Sequence, residues 1–283
     1  MHVLRRTVTT SDAHAESGGL GSGDVDGGDR SDHLDAGDIE LLGRITVASN
    51  ETFLASIGGT QVVYKPSAGE RPLWDFPCGD LAEREVAAYL VSQAIGWNIV
   101  PRTWLRDGPF GPGMVQLWQQ IDPDQDAVDV VLADAIPDEG WRLVFEGIDE
   151  DERPVALIHE DTATLRHMAV FDVIVNNADR KGGHILAMPD GHRFGVDHGL
   201  TFHAEHKLRT VLWGWEGDAL LDDELDGIRR ARAGLDGELG AALAELLDAE
   251  ELDALVARCD RMLTRRRFPA PSGEMPATPW PLF

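Results

Sequence analysis

Residues 171–199 read FDVIVNNADRKGGHILAMPDGHRFGVDHG and carry the polar groups on which the interpretation of this chain depends. The stretch begins with an apolar helical pattern and then breaks into Asp-Arg-Lys-Gly-Gly-His, from Asp179 to His184. A strand, a Pro-Asp-Gly turn and a second strand are predicted next, and the second strand leads into Val-Asp-His-Gly, where the carboxylate is Asp197. Packing explains neither polar segment, so both indicate a functional site.

The two polar segments contain the groups that phosphoryl transfer requires. That reaction uses a carboxylate near the acceptor hydroxyl, a divalent metal ion on the phosphates and a cation beside the transferred group. Asp179, Asp197 and Lys181 supply such groups within one loop and hairpin. A protein-kinase catalytic loop has a lysine two residues and an asparagine five residues after its aspartate, followed later by Asp-Phe-Gly. Lys181, His184 and the Asp-His-Gly at 197–199 keep that spacing with two changes of residue.

A second lysine, Lys65, ends the apolar strand pattern VVYKP. A lysine in this position holds phosphate oxygens as a point charge when a carboxylate fixes it. On the following helix, Glu83 forms a predicted capping box with Asp80, which leaves Glu85 as the partner for Lys65. The alternative is a surface ion pair without function, worth about 0–1 kcal/mol.

Composition restricts the kind of partner. The chain has 283 residues and a formal net charge of −25, and only three of its 25 Lys and Arg residues are lysines. Nucleic acids and anionic membranes attract broad basic surfaces, so we expect no nucleic-acid partner and no stable membrane association. The sequence contains neither an apolar run of the roughly 18 residues that a membrane helix needs nor an apolar signal core near residue 1. A cytoplasmic protein is therefore expected.

The predicted elements divide the chain into four parts. Residues 1–38, rich in Gly, Ser and Asp, are predicted to be a disordered acidic tail. Residues 39–120 contain a predicted three-strand meander, one helix and two further strands, at 97–105 and 111–120. Residues 121–268 are predicted to be mostly helical, and residues 269–283 to be a Pro-rich C-terminal extension. The fold class is therefore α+β, with a small β-rich lobe and a larger, mostly helical lobe.

Outside the hairpin already described, helices are predicted for four regions of the larger lobe. They are 126–137 (DAVDVVLADAIP), 161–177, 208–215 (LRTVLWGW) and the acidic segments of 218–267. The helix of the smaller lobe is predicted over 80–96, with Gly96 just past its end.

Five segments together resemble the phosphatidylinositol 3-/4-kinase family, in its small bacterial branch, and more distantly the HipA-type kinases. In chain order they are VVYKP, REVAAYLVSQAIGWNIVP, MVQLW, FDVIVNNADRKGGH and VDHG. The resemblance implies a protein-kinase-like fold of two lobes, with ATP bound in the cleft. It also implies Mg²⁺ or Mn²⁺ as the metal cofactor.

The resemblance assigns catalytic roles within the larger lobe. Asp179 would be the catalytic-loop aspartate, assisted by Lys181, and Asp172 would brace the loop. Asp197 would carry the metal. The family usually has DRHxxN, with asparagine as a second metal ligand, whereas this chain has DRKGGH and therefore offers His184. An imidazole favours metals softer than Mg²⁺, so Mn²⁺ is the expected preference.

The resemblance also assigns nucleotide contacts. Lys65 would bind phosphates, with Glu85 as its partner on the helix. The turn containing Ser49 and Asn50 would cover the phosphates. The adenine would lie against a hinge of three residues, Gln116, Leu117 and Trp118.

The leading hypothesis is an ATP-dependent kinase that moves the γ-phosphate to a hydroxyl of a soluble acceptor, a small molecule or a protein. One alternative is a nucleotidyl (AMP) transferase on the same fold. Another is a catalytically weak, ATP-binding regulatory pseudokinase in which His184 marks lost chemistry. The joint presence of the predicted phosphate, metal and catalytic residues argues against the pseudokinase, because binding alone does not require Asp179.

Overall fold

The computed structural model describes residues 29–45, 50–70, 76, 81–273 and 276–283. The chain divides into two compact units, one of residues 1–72 and 104–118 and the other of residues 73–103 and 119–283. The division between residues 118 and 119 lies close to the predicted boundary near residue 120, whereas the segment 73–103, predicted to be part of the smaller lobe, groups with the second unit. The predicted helix of the smaller lobe therefore belongs to the unit that contains residues 171–199.

The first unit is built on a five-stranded sheet with the order β1-β2-β3-β5-β4. Its strands are β1 Ile39–Arg44, β2 Phe53–Ile57, β3 Thr60–Pro66, β4 Thr103–Gly108 and β5 Gly111–Leu117. The pairs β1–β2, β2–β3 and β3–β5 are antiparallel, so the predicted meander is present. Ala55, Ile57, Val62, Tyr64 and Val115 are fully buried on one face of this sheet. The strand predicted at 97–105 instead begins at Thr103.

A short helix, α1 (Asp29–Ala36), precedes the sheet. The prediction of disorder is therefore wrong for residues 29–38, and residues 1–28 lie outside the described part. Leu34 is 6% exposed and packs into the core of the first unit. Arg106 donates from Nη1 to the carbonyl of Leu34 and from Nη2 to that of Gly37, both at 2.8 Å. These bonds satisfy carbonyls at the end of α1, which composition alone does not reveal.

The second unit contains a three-stranded antiparallel sheet that the sequence analysis missed. Its order is β6-β8-β7, with β6 Val128–Leu132, β7 Trp141–Ile148 and β8 Pro154–Glu160. The helix predicted over 126–137 is therefore wrong. Val128, Val130 and Leu132 pair with alternate residues of β8, the period-two pattern that β-branched side chains favour. Tertiary pairing overrides the helical interpretation of the short acidic segment.

The remaining elements of the second unit are helices and one hairpin. They are α2 Leu81–Ile95, α3 Ala163–Val175, β9 Ile185–Ala187, β10 Arg193–Gly195, α4 Asp222–Leu235, α5 Glu238–Leu243 and α6 Ala249–Arg265. Their apolar faces form one core that includes Val91, Leu165, Phe171 and Ile228. The predicted helices at 161–177 and within 218–267 are confirmed, as are the hairpin and the helix predicted over 80–96, although its predicted cap residue Asp80 lies outside the described residues. The α+β fold class, with a sheet-rich first part and a largely helical remainder, is also confirmed.

The segment 208–215 is not the predicted helix, except for one 3₁₀ turn at Trp213–Trp215. Arg209 donates its backbone N–H to the carbonyl of Asn177 at 2.9 Å. Val211 donates to the carbonyl of Arg180 at 3.1 Å. These long-range bonds hold the segment extended beside residues 177–180. Across the described ranges, no helix combines the length and the apolar character needed to cross a bilayer.

His159 links the three-stranded sheet to the 3₁₀ turn. It is fully buried on β8, where its Nδ1 lies 2.8 Å from the carbonyl of Glu160 and its Nε2 accepts the N–H of Gly214 at 3.0 Å. The imidazole lies against Trp215, with ring centroids 4.3 Å apart. Only the neutral ring satisfies both nitrogens, because a protonated Nε2 cannot accept a hydrogen bond. Burial lowers the pKa of His159 to about 4.

We expect the free energy of unfolding to fall as the pH drops from 6.5, the ordinary histidine pKa, towards 4. In that window the unfolded chain binds a proton that buried His159 does not, so the contribution of His159 is complete above pH 6.5. The loss amounts to about 3 kcal/mol at most. Urea unfolding across the window should show a smaller pH slope for His159→Gln than for the wild type. Equal slopes would contradict this assignment.

Candidate active site

The end of α3 sets the position of the polar segment. Thr162 caps the helix, its side chain accepting the N–H of Leu165 at 3.3 Å. The helix ends at Asn176, whose φ of +55° lies in the left-handed region that asparagine tolerates. The Asn176 side chain donates to the carbonyls of His203 and Glu205 at 2.9 and 2.7 Å. The chain therefore leaves α3 in a direction fixed by both backbone and side chain.

Asp172, in the last turns of α3, organises the residues that follow. It is fully buried, and its Oδ1 accepts the side-chain N–H of Asn177 at 3.0 Å. Asn177 in turn accepts the backbone N–H of Asp179 at 3.0 Å. This relay joins a core carboxylate to the start of residues 179–184, called the polar loop below. It agrees with the predicted bracing role of Asp172.

Arg180 has the most extensive contacts in the polar loop, although it is fully buried. Its Nε and Nη2 hold both carboxylate oxygens of Asp172 at 2.9 Å. Its Nη1 donates to the carbonyl of His184 at 3.1 Å, and its Nη2 lies 2.7 Å from Nε2 of His198. A Cβ at Gly195 would come within 3.0 Å of this guanidinium, so glycine there makes room for it. One side chain thus joins α3, the polar loop and the segment after β10.

Asp179 and Lys181 form an ion pair within the polar loop. Nζ of Lys181 donates to Oδ2 of Asp179 at 2.9 Å. Their side chains are 23% and 17% exposed, so both groups reach the surface of the second unit. The two predicted catalytic residues are therefore adjacent, and the carboxylate is partly accessible to solvent.

His184 brings the polar loop and Asp197 together. Its Nδ1 lies 2.9 Å from the carbonyl of Asp179, and a carbonyl only accepts, so Nδ1 carries the hydrogen. Burial lowers the pKa of His184, although Asp197 and Asp179 act in the opposite direction. Nε2 of the neutral ring therefore carries the lone pair, and it lies 3.4 Å from Oδ2 of Asp197. Two acceptor atoms that face each other at this distance suit a shared cation.

The backbone around Asp197 is held from the other side by α2. Asp197 has a φ of +60°, an uncommon value for a non-glycine residue and one that is enriched at functional sites. The next residue, His198, donates its backbone N–H to Oε2 of Glu85 at 3.0 Å. Glu85 is 3% exposed, so this bond lies in the interior. Glu85 therefore fixes the segment that carries Asp197.

The predicted nucleotide residues other than Glu85 lie in the first unit. Lys65 pairs with Met114, and Val63 pairs with Gln116, across β3 and β5. Alternation places Lys65 and Gln116 on the same face, opposite the face that contains buried Val62 and Tyr64. Lys65 and Glu85 belong to different units, so their predicted pairing stays a prediction.

The other predicted nucleotide-binding residues lie in different parts of the first unit, and one of them is outside the described residues. Leu117 packs its side chain against the core of the first unit, and Trp118 donates its backbone N–H to the carbonyl of Gln61 at 3.1 Å. Asn50 lies before β2, where its carbonyl accepts the hydroxyl of Thr52 at 3.2 Å. Ser49 lies outside the described residues. The hinge and phosphate-turn assignments therefore stay predictions.

The described residues contain no cluster of three or more His, Cys, Asp or Glu side chains arranged to hold a metal ion. His184 and Asp197 form a pair instead. Mg²⁺ and related ions in phosphotransfer sites are commonly held by one or two protein groups, with phosphate oxygens and water completing the coordination. The pair therefore fits a metal that binds together with a phosphate-bearing substrate.

Comparison with known proteins identifies a relative. The chain is 48% identical over 260 residues to Protein Rv2133c of Mycobacterium tuberculosis, an alignment that covers 87% of this chain and 93% of the relative. The chain belongs to the family of Protein Rv2133c. No model of a known protein family matches the sequence. Among solved structures, the Helicobacter pylori proinflammatory kinase CtkA is similar with a TM-score of 0.44 and 10% identity, over 83% of this chain and 94% of CtkA.

Sequence reasoning did not assign the role of Arg180. The signal was present, because Asp172 is a lone carboxylate in an apolar helix and a buried charge requires a partner. Arg180 follows eight residues later and is the nearest cation after it in the sequence. The bond from His198 to Glu85 had no comparable signal, since 113 residues separate the two.

Proposed function

We propose that the protein is an ATP-dependent phosphotransferase that moves the γ-phosphate to a hydroxyl of a soluble acceptor. The observation that carries this proposal is the position of His184. Its Nδ1 lies 2.9 Å from the carbonyl of Asp179, and its Nε2 lies 3.4 Å from the carboxylate of Asp197. One imidazole thereby connects the proposed proton acceptor with the proposed metal ligand. We also propose that the protein is related to the phosphatidylinositol 3-/4-kinases.

Asp179 is the proposed group that accepts the proton of the acceptor hydroxyl. Its carboxylate is partly exposed, and the Asp172–Asn177 relay fixes the backbone that carries it. A positioned carboxylate of this kind contributes about 10²–10⁴-fold to the rate. Lys181, 2.9 Å from the same carboxylate, provides positive charge beside the transferred group.

His184 and Asp197 are the proposed metal-holding residues. A divalent ion, when bound, neutralises charge on the phosphate oxygens. The Asp197 carboxylate would supply an oxygen ligand, and the neutral His184 ring would supply Nε2, since Nδ1 already donates to the backbone carbonyl of Asp179. A mixed nitrogen and oxygen pair favours Mn²⁺ over Mg²⁺.

The nucleotide is proposed to contact the first unit through one face of its sheet. Lys65 and Gln116 share that face, with Lys65 near the end of β3 and Gln116 near the end of β5. Lys65 is the proposed phosphate ligand, with Glu85 as its partner, and the Gln116–Trp118 segment is the proposed adenine hinge. With a net charge of −25 on the chain, we propose a soluble acceptor rather than an anionic bilayer.

The test is transfer from ATP that carries the label at either the γ or the α position, with Mg²⁺ or Mn²⁺. We expect γ-label to reach an acceptor in fractionated cell extract, faster with Mn²⁺. ATP with metal should also raise the melting temperature, because binding stabilises the native state. Asp197→Asn should lose both transfer and the ATP-induced stabilisation.

The alternative outcomes separate the other hypotheses. Transfer of α-label without γ-label would identify a nucleotidyl transferase and contradict the proposal. If ATP stabilises the protein but neither label moves with any acceptor pool, the protein is a nucleotide-binding regulator. If ATP produces no stabilisation and no transfer, the site does not bind nucleotide.

A further inference from the structure

Residues 276–283, called the strap below, cross the polar loop and its neighbouring segment. The carbonyl of Ala277 accepts the backbone N–H of Thr210 at 3.0 Å and the indole N–H of Trp213 at 2.8 Å. Further along, the carbonyl of Leu282 accepts the backbone N–H of Gly182 at 2.8 Å. Leu282 also packs against the core of the second unit, and Pro279 is buried. The strap is thus fixed at both ends, and its second anchor lies within the polar loop.

Gly182 lies between the strap and the three-stranded sheet. A Cβ built on Gly182 would come within 2.5 Å of the Phe283 ring and 3.3 Å of Cβ of Val128. A side chain at this position would therefore displace the Phe283 ring. The group that approaches Gly182 most closely is the Phe283 ring.

The contact between Phe283 and Gly182 lies between two residues of the candidate site. Gly182 follows Lys181 directly and precedes His184 by two residues. A Gly-Gly pair loses more conformational entropy on ordering than other residues do, so a loop that contains it needs external contacts to hold one conformation. Arg180 fixes the start of the polar loop, and the strap fixes its middle.

We propose that Phe283 is a positioning residue that acts through Gly182 on the polar loop. The ring and the bond from Gly182 to Leu282 hold Lys181 and His184 in the arrangement that joins Asp179 to Asp197. The catalytic consequence rests on the proposed function, whereas the effect on the loop does not. An autoinhibitory strap is the opposite possibility, and the experiment below distinguishes the two.

The test compares Phe283→Ala with Trp280→Ala in the full chain. Both residues are aromatic members of the strap, but Trp280 is 87% exposed, whereas Phe283 is 48% exposed and contacts Gly182. Phe283→Ala is expected to lower kcat about tenfold or more with an unchanged KM for ATP, since small displacements at a reacting centre are costly. Trp280→Ala should behave as the wild type, and Phe283→Leu should recover part of the loss. A higher kcat in Phe283→Ala would mean that the strap blocks the site, and the proposal would fail.

Hydrogen exchange without nucleotide gives a readout that is independent of turnover. The amides of residues 182–184 should exchange faster in Phe283→Ala than in Trp280→Ala, while melting temperatures stay equal. Unchanged exchange would overturn the positioning role even in an active enzyme. Faster exchange in Phe283→Ala, combined with no phosphotransfer by the wild type, would overturn the proposed function and leave the strap's effect on the loop supported.

A double-mutant cycle checks that Phe283 acts through Gly182. Gly182→Ala places a methyl group where the ring lies, so it should disturb the same contact. The double variant Gly182→Ala/Phe283→Ala should have a kcat no lower than that of Gly182→Ala alone, because coupled residues are non-additive. Multiplicative losses in kcat would show that the two residues act independently and would overturn the proposal.

Discussion

Asp179→Asn is expected to lower kcat for γ-phosphate transfer by about 10²–10⁴-fold while the ATP-induced rise in melting temperature stays nearly normal. An amide cannot accept the proton of the acceptor hydroxyl, but it matches the carboxylate in size and still accepts a hydrogen bond from Lys181. The pair that is lost, 2.9 Å apart at partly exposed positions, is worth about 0–1 kcal/mol of stability. The loss should therefore be in turnover. Steady-state assays with γ-labelled ATP and thermal shifts on the same preparations measure the two effects.

Asp190→Asn is the matched control. Asp190 lies at the exposed turn between β9 and β10, where its Oδ1 accepts the N–H of His192 at 3.0 Å. The change of side chain is the same, and the position is eleven residues away. Asp190→Asn should keep wild-type kcat. If Asp179→Asn keeps it too, Asp179 is not the proton acceptor.

The parts of the fold that the sequence predicts are those determined by local interactions. The apolar period of α3 and the Pro-Asp-Gly turn between β9 and β10 lie within single segments. The alternation and clustering of β-forming residues between turn residues also predicts the three strands β1 to β3. In each case the structure-forming contacts join residues that are close in the chain, so a window of sequence contains the signal.

The errors occur where distant contacts decide the conformation. Segment 126–137 contains acidic residues among valines, and only pairing with β8 shows that Val128–Leu132 is a strand. Helix α1 depends on Arg106, about seventy residues away, for the bonds at its end. The extended course of 208–212 depends on backbone bonds to residues 177 and 180. None of these partners can be identified from local periodicity.

The candidate site follows the same rule. His184 and Asp197 flank one short hairpin, so their proximity could be anticipated from spacing, and the structure places them 3.4 Å apart. The bond from His198 to Glu85 and the approach of Phe283 to Gly182 join segments about one hundred residues apart. Spacing motifs thus predict which polar groups of the candidate site come together, whereas the groups that hold them in place become visible only in the folded chain.

Arg180 is one of the groups that hold the candidate site in place. Its effect on the stability of the fold can be separated experimentally from its effect on the geometry of the site. The guanidinium and the Asp172 carboxylate are both fully buried and form a bidentate pair. Removing one partner of such a pair leaves an unpaired buried charge. The same guanidinium also donates to the carbonyl of His184 and contacts His198, the residue after Asp197. It therefore supports both sides of the proposed metal pair.

Arg180→Met is expected to lower the free energy of unfolding by about 3–5 kcal/mol, because Asp172 stays buried without its partner. Arg229→Met is the matched control, since Arg229 pairs with Asp226 at the surface, with side chains 53% and 60% exposed. This substitution should cost at most about 1 kcal/mol.

The double variant Arg180→Met/Asp172→Leu removes both charges and should recover much of the stability. It should not recover phosphotransfer, because the bonds to His184 and His198 are still absent. Urea unfolding and γ-label assays on the four proteins measure both quantities. Equal losses of stability in Arg180→Met and Arg229→Met would refute the structural role, and full activity in the double variant would refute the positioning role.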